Sequence, residues 1–256
     1  NSKKLGNYIS AKAGWIDQEK NLFVSNAAGI LQIDVDANAE ERIFWIRTTC
    51  ITGIGKKLFW GIPDRAYECD GDTAIALAGK SPLLAGMITH LQMAPDSSLW
   101  VATPQGIAVV KNDVVWTITR KQGLLSNACK HISVDENAAW ISTDQGISCI
   151  GYRWQNGQLA YTISAITELD GLNSNDVNQT AMAGEYIYTA SAKGIGFFPP
   201  NYSSNRPPAP LININAIRAG DEVMSNHDTV TIANARNRLL VDLAGISYKS
   251  GKELSY

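Results

Sequence analysis

NLFVSNAAGILQI (21–33), SLWVATPQGIAVV (98–110), AAWISTDQGISCI (138–150) and EYIYTASAKGIGFF (185–198) align without gaps on Gly29, Gly106, Gly146 and Gly194. A fifth copy, KLFWGIPDRAYEC (57–69), sets Arg65 at the glycine position. Six residues before this anchor stands Phe23, Phe59, Trp100, Trp140 or Tyr188, aromatic in every copy. Apolar residues flank both marks: Leu22, Leu58, Leu99, Ala139 and Ile187 precede the aromatic, and Ile30, Ala66, Ile107, Ile147 and Ile195 follow the anchor.

Each copy reads as a short strand, a turn of about four residues and a second strand, with glycine supplying the positive φ that tight turns demand. Alternating segments lie upstream, as in ITHLQMA (88–94) and HISVDE (131–136), and downstream, as in VVWTITR (114–120) and LAYTISAI (159–166). Four strands in roughly 40 residues make a propeller blade. A parallel β-helix lacks the four-strand unit, and no window carries the 3.6-residue period of an α/β fold. The expectation is an all-β protein: a β-propeller of four-stranded blades over 1–200, about five blades present, either closed as a ring or part of a larger one. The aromatics are expected to pack between neighbouring blades as core, not as a cofactor platform.

Composition narrows the partners. The 256 residues carry 22 basic and 24 acidic side chains, dispersed and summing to −2, so no basic footprint marks a nucleic-acid surface. No apolar run reaches the length of a membrane-spanning helix, and direct membrane insertion by this chain is not expected. Asn1 is neither an initiator nor part of a leader, which reads as a portion of something longer. Cys50 with Cys69 and Cys129 with Cys149 fall near the first and third strands of two blades. An intervening strand separates such positions by about 9–10 Å, beyond disulfide reach, so buried thiols are expected.

The search for chemistry returns little. Gly79-Lys80-Ser81 has Ala74 where a phosphate loop needs glycine, and Gly194-Ile195-Gly196 is followed by Pro199 in place of the third glycine of a dinucleotide fingerprint. No cofactor or metal is expected, and no catalytic residue is assigned. His90 and His131 sit at similar places on successive inner strands, which line a propeller's channel; His90 is taken as a ligand candidate, the alternative being a histidine bonded within the wall. Binding residues concentrate on loops, here the anchor turns and the crossovers between blades. These offer Arg65, Gln105, Gln145 and Lys193, with Asn127 and Asn175 in the crossovers. Arg65 departs from the repeat, and departures mark functional candidates. Asn127 and Asn175 have an alternative role in satisfying local backbone groups.

GLLSNACKHISVDENAAWISTDQGISCI (123–150) and GLNSNDVNQTAMAGEYIYTASAKGIGFF (171–198) repeat a Gly-Leu-x-Ser-Asn lead-in at Gly123 and Gly171. This unit resembles the two-component regulator propeller repeat. The Pro-, Ser- and Asn-rich stretch 201–209 then reads as a linker. Residues 210–256 open a fresh alternating pattern, in which RLLVDLAGISYKSGKELSY (238–256) resembles the Y-Y-Y domain, an immunoglobulin-like β-sandwich, with Tyr248 and Tyr256 at characteristic tyrosines. The order of the two resembles the sensor part of Bacteroidetes-type sensor histidine kinases. The resemblance implies a periplasmic, non-enzymatic region of an inner-membrane protein, homodimeric in the full receptor, that binds a small molecule or glycan and feeds a phosphorelay. It also implies propellers that often have seven blades. Two other readings compete: a propeller hydrolase or lyase, which needs paired carboxylates or a metal in the channel, and a protein-interaction scaffold without a small ligand.

Overall fold

A computed structural model of the chain describes residues 10–202 apart from Val35, Asn38 and Asp72, together with 211–219, 222–224 and 238–246. The chain divides into two compact units, Asn1–Ser204 and Asn205–Tyr256.

The first unit is a propeller of five blades. Blade 1 holds β1 (Ala13–Ile16), β2 (Asn21–Asn26), β3 (Gly29–Asp34) and β4 (Ala39–Phe44). Blade 2 holds β5 (Cys50–Ile54), β6 (Lys57–Gly61), β7 (Ala66–Asp70) and β8 (Thr73–Ala76). Blade 3 holds β9 (His90–Met93), β10 (Leu99–Thr103), β11 (Gly106–Lys111) and β12 (Val114–Ile118). Blade 4 holds β13 (Cys129–Val134), β14 (Ala138–Thr143), β15 (Gly146–Gln155) and β16 (Gln158–Ile166). Blade 5 shows three strands, β17 (Val177–Ala183), β18 (Tyr186–Ser191) and β19 (Gly194–Phe198). Every blade is an antiparallel meander in sequence order, and the inner strands pack in succession, β1 on β5, β5 on β9, β9 on β13 and β13 on β17.

The anchor turns are tighter than the four residues expected. Asn26 pairs with Gly29, Thr103 with Gly106, Thr143 with Gly146 and Ser191 with Gly194, leaving two-residue turns. The residue opening each turn explains the tightness. Thr103 Oγ1 accepts the Gln105 N–H at 3.1 Å and donates to the Gly106 carbonyl at 2.9 Å, and Thr143 does the same with Gln145 and Gly146. Blade 2 has Ile62 at this position, and its turn closes instead through the Ile62 N–H on the Arg65 carbonyl at 2.9 Å.

Among the described residues four apolar cores lie along the blade-to-blade boundaries, and the repeat aromatics organise them. Phe23 packs with Ile51, Leu58 and Trp60 of blade 2, and Phe59 with Leu91, Leu99 and Val101 of blade 3. Trp100 packs with Ile132, Ile141 and Tyr152 of blade 4, and Trp140 with Val177, Ile187 and Phe198 of blade 5. Burying side chains of this size contributes about 2–3 kcal/mol each. Tyr188 departs from the expected inter-blade packing: it is 40% exposed, beside Phe197 at 66%. Its face is the one that a further blade would cover, and among the described residues none does.

Among its described residues, the second unit holds a three-stranded antiparallel sheet. Its central strand β20 (Leu211–Ala219) lies between β21 (Glu222–Met224) and β22 (Leu239–Ile246). Residues 203–209 of the expected linker, and Tyr248 and Tyr256, lie outside the described residues.

Candidate functional site

His90 on β9 and His131 on β13 occupy the same register of neighbouring blades: His90 lies opposite Ala102 and His131 opposite Ser142, and both partners stand four residues before their anchor glycine. The unequal sequence distance of the two histidines from the anchors arises in the turns between the first and second strands, Ala94–Ser98 in blade 3 and the shorter Asp135–Ala138 in blade 4. Adjacent inner strands bring the two imidazoles face to face, with centroids 3.7 Å apart and planes at 26°. The pair therefore spans the seam between blades 3 and 4.

Side chains of β9 and of Thr89 just before it bond the β13 backbone along this seam. The Ile132 N–H donates to His90 Nδ1 at 3.4 Å, and the Val134 N–H donates to Gln92 Oε1 at 3.1 Å. Thr89 Oγ1 donates to the Cys129 carbonyl at 2.8 Å. Accepting at Nδ1 places the His90 proton on Nε2. His131 Nδ1 is buried without a partner among the described residues. Burial, and then the neighbouring His131, push the pKa of His90 down to about 3; burial alone pushes His131 down to about 4. Both rings are neutral at pH 7. The pair can thus give or take hydrogen bonds within the seam, and a cation is disfavoured there.

The other sequence candidates lie on the anchor-turn side. Gln105 and Gln145 are exposed at equivalent turn positions of blades 3 and 4. Arg65 Nη2 pairs with Asp64 at 2.9 Å, which raises the Arg65 pKa, and its Nε is buried without a partner among the described residues. Asn127 and Asn175 are engaged locally: Asn127 Oδ1 accepts the Arg120 N–H and Asn175 Oδ1 the Glu168 N–H, each at 2.8 Å. Lys193 pairs with Glu168 at 2.8 Å, so Lys193 and Asn175 meet at one residue. Arg65 in blade 2 and Lys193 in blade 5 are not gathered with the histidines by any of these bonds.

The lead-in carries a device that the glycine-based reading missed. Thr119 and Gln122 form a reciprocal cap on the 3₁₀ turn Arg120–Gln122, and Thr167 and Asp170 repeat it on Glu168–Asp170. The signal was present as a capping box, Thr-x-x-Gln and Thr-x-x-Asp, directly before Gly123 and Gly171. Lys130 was also missed: its ammonium pairs with Asp176 and lies 3.3 Å from Asn178 Oδ1, tying blade 4 to blade 5. The four cysteines are thiols, and burial pushes Cys50, Cys129 and Cys149 up to about 12, far from reactive thiolates.

The chain matches no protein-family model and no curated protein. Its fold is similar to that of solved structures. One, described as the extracellular domain of hybrid two component system BT3049 of B. thetaiotaomicron, aligns with a TM-score of 0.64 and 18% identity over 86% of this chain and 32% of that one. The corresponding domain of BT4673 from the same organism gives 0.52 and 13% over 83% and 35%. A gluconolactonase, XC5397 of Xanthomonas campestris, gives 0.55 and 12% over 76% and 74%. The chain spans about a third of the two hybrid-system structures. At these identities the likeness is one of fold.

Proposed function

We propose that this chain belongs to the extracytoplasmic sensing region of a two-component receptor, where the propeller engages a ligand or partner and the adjoining β-unit passes the change toward the membrane. The observation that carries the reading is order: blades with the Gly-Leu-x-Ser-Asn lead-in stand directly before a separate antiparallel sheet. The likeness of fold to extracellular domains of hybrid two-component systems supports it. On this reading the membrane anchor, the dimer and the phosphorelay belong to the rest of the receptor.

Recognition is assigned to the anchor-turn side, at Gln105 and Gln145, and to the seam between blades 3 and 4, at His90. Asn127 and Asn175 hold their own loops, and their part in recognition is indirect. The ligand class on this reading is a small polar molecule or glycan, for which neutral amide and imidazole groups are suitable hydrogen-bond partners. The test is an in-frame deletion of residues 10–202 from the receptor gene, followed by transcript profiling across carbon sources. Loss of a source-specific response, with the protein still in the membrane fraction, is expected. An unchanged response would refute the proposal.

A further inference from the structure

Blades 1 and 3 can be compared position by position. Phe23 pairs with Gln32 and Gln32 with Glu41, as Trp100 pairs with Val109 and Val109 with Trp116. The turns after β1 and β9 also match: Lys20 and Ser97 share a left-handed backbone, which makes Glu19 the counterpart of Asp96.

Between blades 3 and 4 the outer corner of the seam is filled. Trp116 meets Trp154 edge-on at 4.9 Å, and the Lys111 ammonium lies 4.4 Å from the centre of the Trp154 ring. Asp96 pairs with Lys111 at 3.5 Å and accepts the Trp154 indole N–H. A cation thus sits between an aromatic face and a carboxylate inside the seam.

Between blades 1 and 2 the same corner is open. Glu41 replaces Trp116, Asp34 replaces Lys111, and Glu19 replaces Asp96. The outer hairpin of blade 2 turns at Gly71, whereas β15 and β16 run on to Gln155 and Gln158 and bring in Trp154. A cleft of about 670 Å³ results, bordered by Trp15, Phe23, Leu58, Gln32, Glu19 and Glu41. The Trp15 indole is seated against Gly53, where a β-carbon would come within 2.6 Å of the ring. Arg42 borders the cleft too, but its guanidinium lies 4.6 Å from the Trp45 ring centre and donates to the Ala28 carbonyl at 3.0 Å. Lys56 also lines the cleft. The seam between blades 1 and 2 therefore lacks Trp116, Trp154 and the internal cation of the filled seam, and presents carboxylates beside a different aromatic, Trp15, which stands on β1 where blade 3 has Gln92.

We propose that this cleft is a binding site for a small organic ammonium with an apolar body, its charge held by Glu19 and Glu41 and its hydrocarbon against Trp15. A cation between a ring and a carboxylate gains from both the ring quadrupole and the ion pair, and the volume suits a small molecule. The site is separate from the histidine seam, and the inference does not rest on the signalling role.

The test titrates the purified chain calorimetrically with phenethylammonium and choline, and with 2-phenylethanol and maltose as uncharged counterparts. The ammonium ions are expected to bind at least about tenfold more tightly than 2-phenylethanol, and more weakly as salt is raised. Glu41→Gln is expected to weaken phenethylammonium about three- to tenfold, and Glu41→Trp, which copies the filled seam, to abolish binding. Thermal melts confirm that each variant is folded; if Glu41→Trp is not, Glu41→Gln and the salt dependence decide. No binding of either ammonium up to about 10 mM, equal binding of 2-phenylethanol, preference for maltose, or full affinity in Glu41→Gln would each overturn the proposal.

Discussion

Gly146 has a φ of +123°, and a β-carbon there would come within 2.5 Å of the Ile166 carbonyl; Gly194, at +118°, would meet nothing nearer than Asn173 at 3.8 Å. The two positions share backbone strain and differ in space. Gly146→Ala is expected to cost about 2–4 kcal/mol and Gly194→Ala about 1 kcal/mol, read from urea unfolding. Similar losses in both would show that the conformation alone matters. The histidine seam makes a different prediction. The folded-state pKa values, about 3 for His90 and about 4 for His131, lie below the ordinary value of 6.5. The unfolded chain therefore takes up protons first as pH falls, and stability is lost from about pH 6.5 down to about pH 4 for His131 and about pH 3 for His90. The loss is expected to reach at least about 2 kcal/mol per ring, and a His90→Gln/His131→Gln variant should flatten stability across that window. A variant with the same pH profile as the native chain would remove the histidines from the explanation.

At the scale of the element, the repeat aromatics separate by whether a further blade packs over them. Trp140→Ala opens the core between blades 4 and 5 and should cost about 3–5 kcal/mol. Tyr188→Ala, at the corresponding position of blade 5, should cost about 1 kcal/mol or less, because the side chain is already 40% exposed. Thermal melts of the two variants compare them directly. The hairpins were legible because the period exposes them: five aromatics and four glycines at fixed offsets leave few other folds. The turn length was not. A glycine marks where the chain turns, but the two-residue geometry is set by the hydroxyl of Thr103 or Thr143 accepting an N–H two residues on, a short-range bond that apolar patterning does not register. The lead-in caps show the same limit from the other side, since Thr119 and Thr167 were readable as capping boxes and stood just outside the recognised motif.

Across the whole molecule, the contacts hidden from the sequence are those that neighbouring blades make with each other. His90 and His131 are 41 positions apart, and their stacking comes only from the register of adjacent inner strands. The cleft beside Trp15 is likewise visible only when one seam is laid over another. The same seams set the distribution of stability. A propeller is a quasi-linear stack in which each blade is held by its neighbours, so a blade packed on both faces opens less often than one packed on a single face. Blades 3 and 4 share the core around Trp100, Ile132, Ile141 and Tyr152, and each has a second core on its other side. Blade 5 has one, and its other face leaves Ile195 and Phe197 in water. Hydrogen exchange at neutral pH should therefore be slowest in β10, β11 and β14 and fastest, among propeller strands, in β19. If β19 amides exchange as slowly as those of β11, the exposed face of blade 5 is covered in solution.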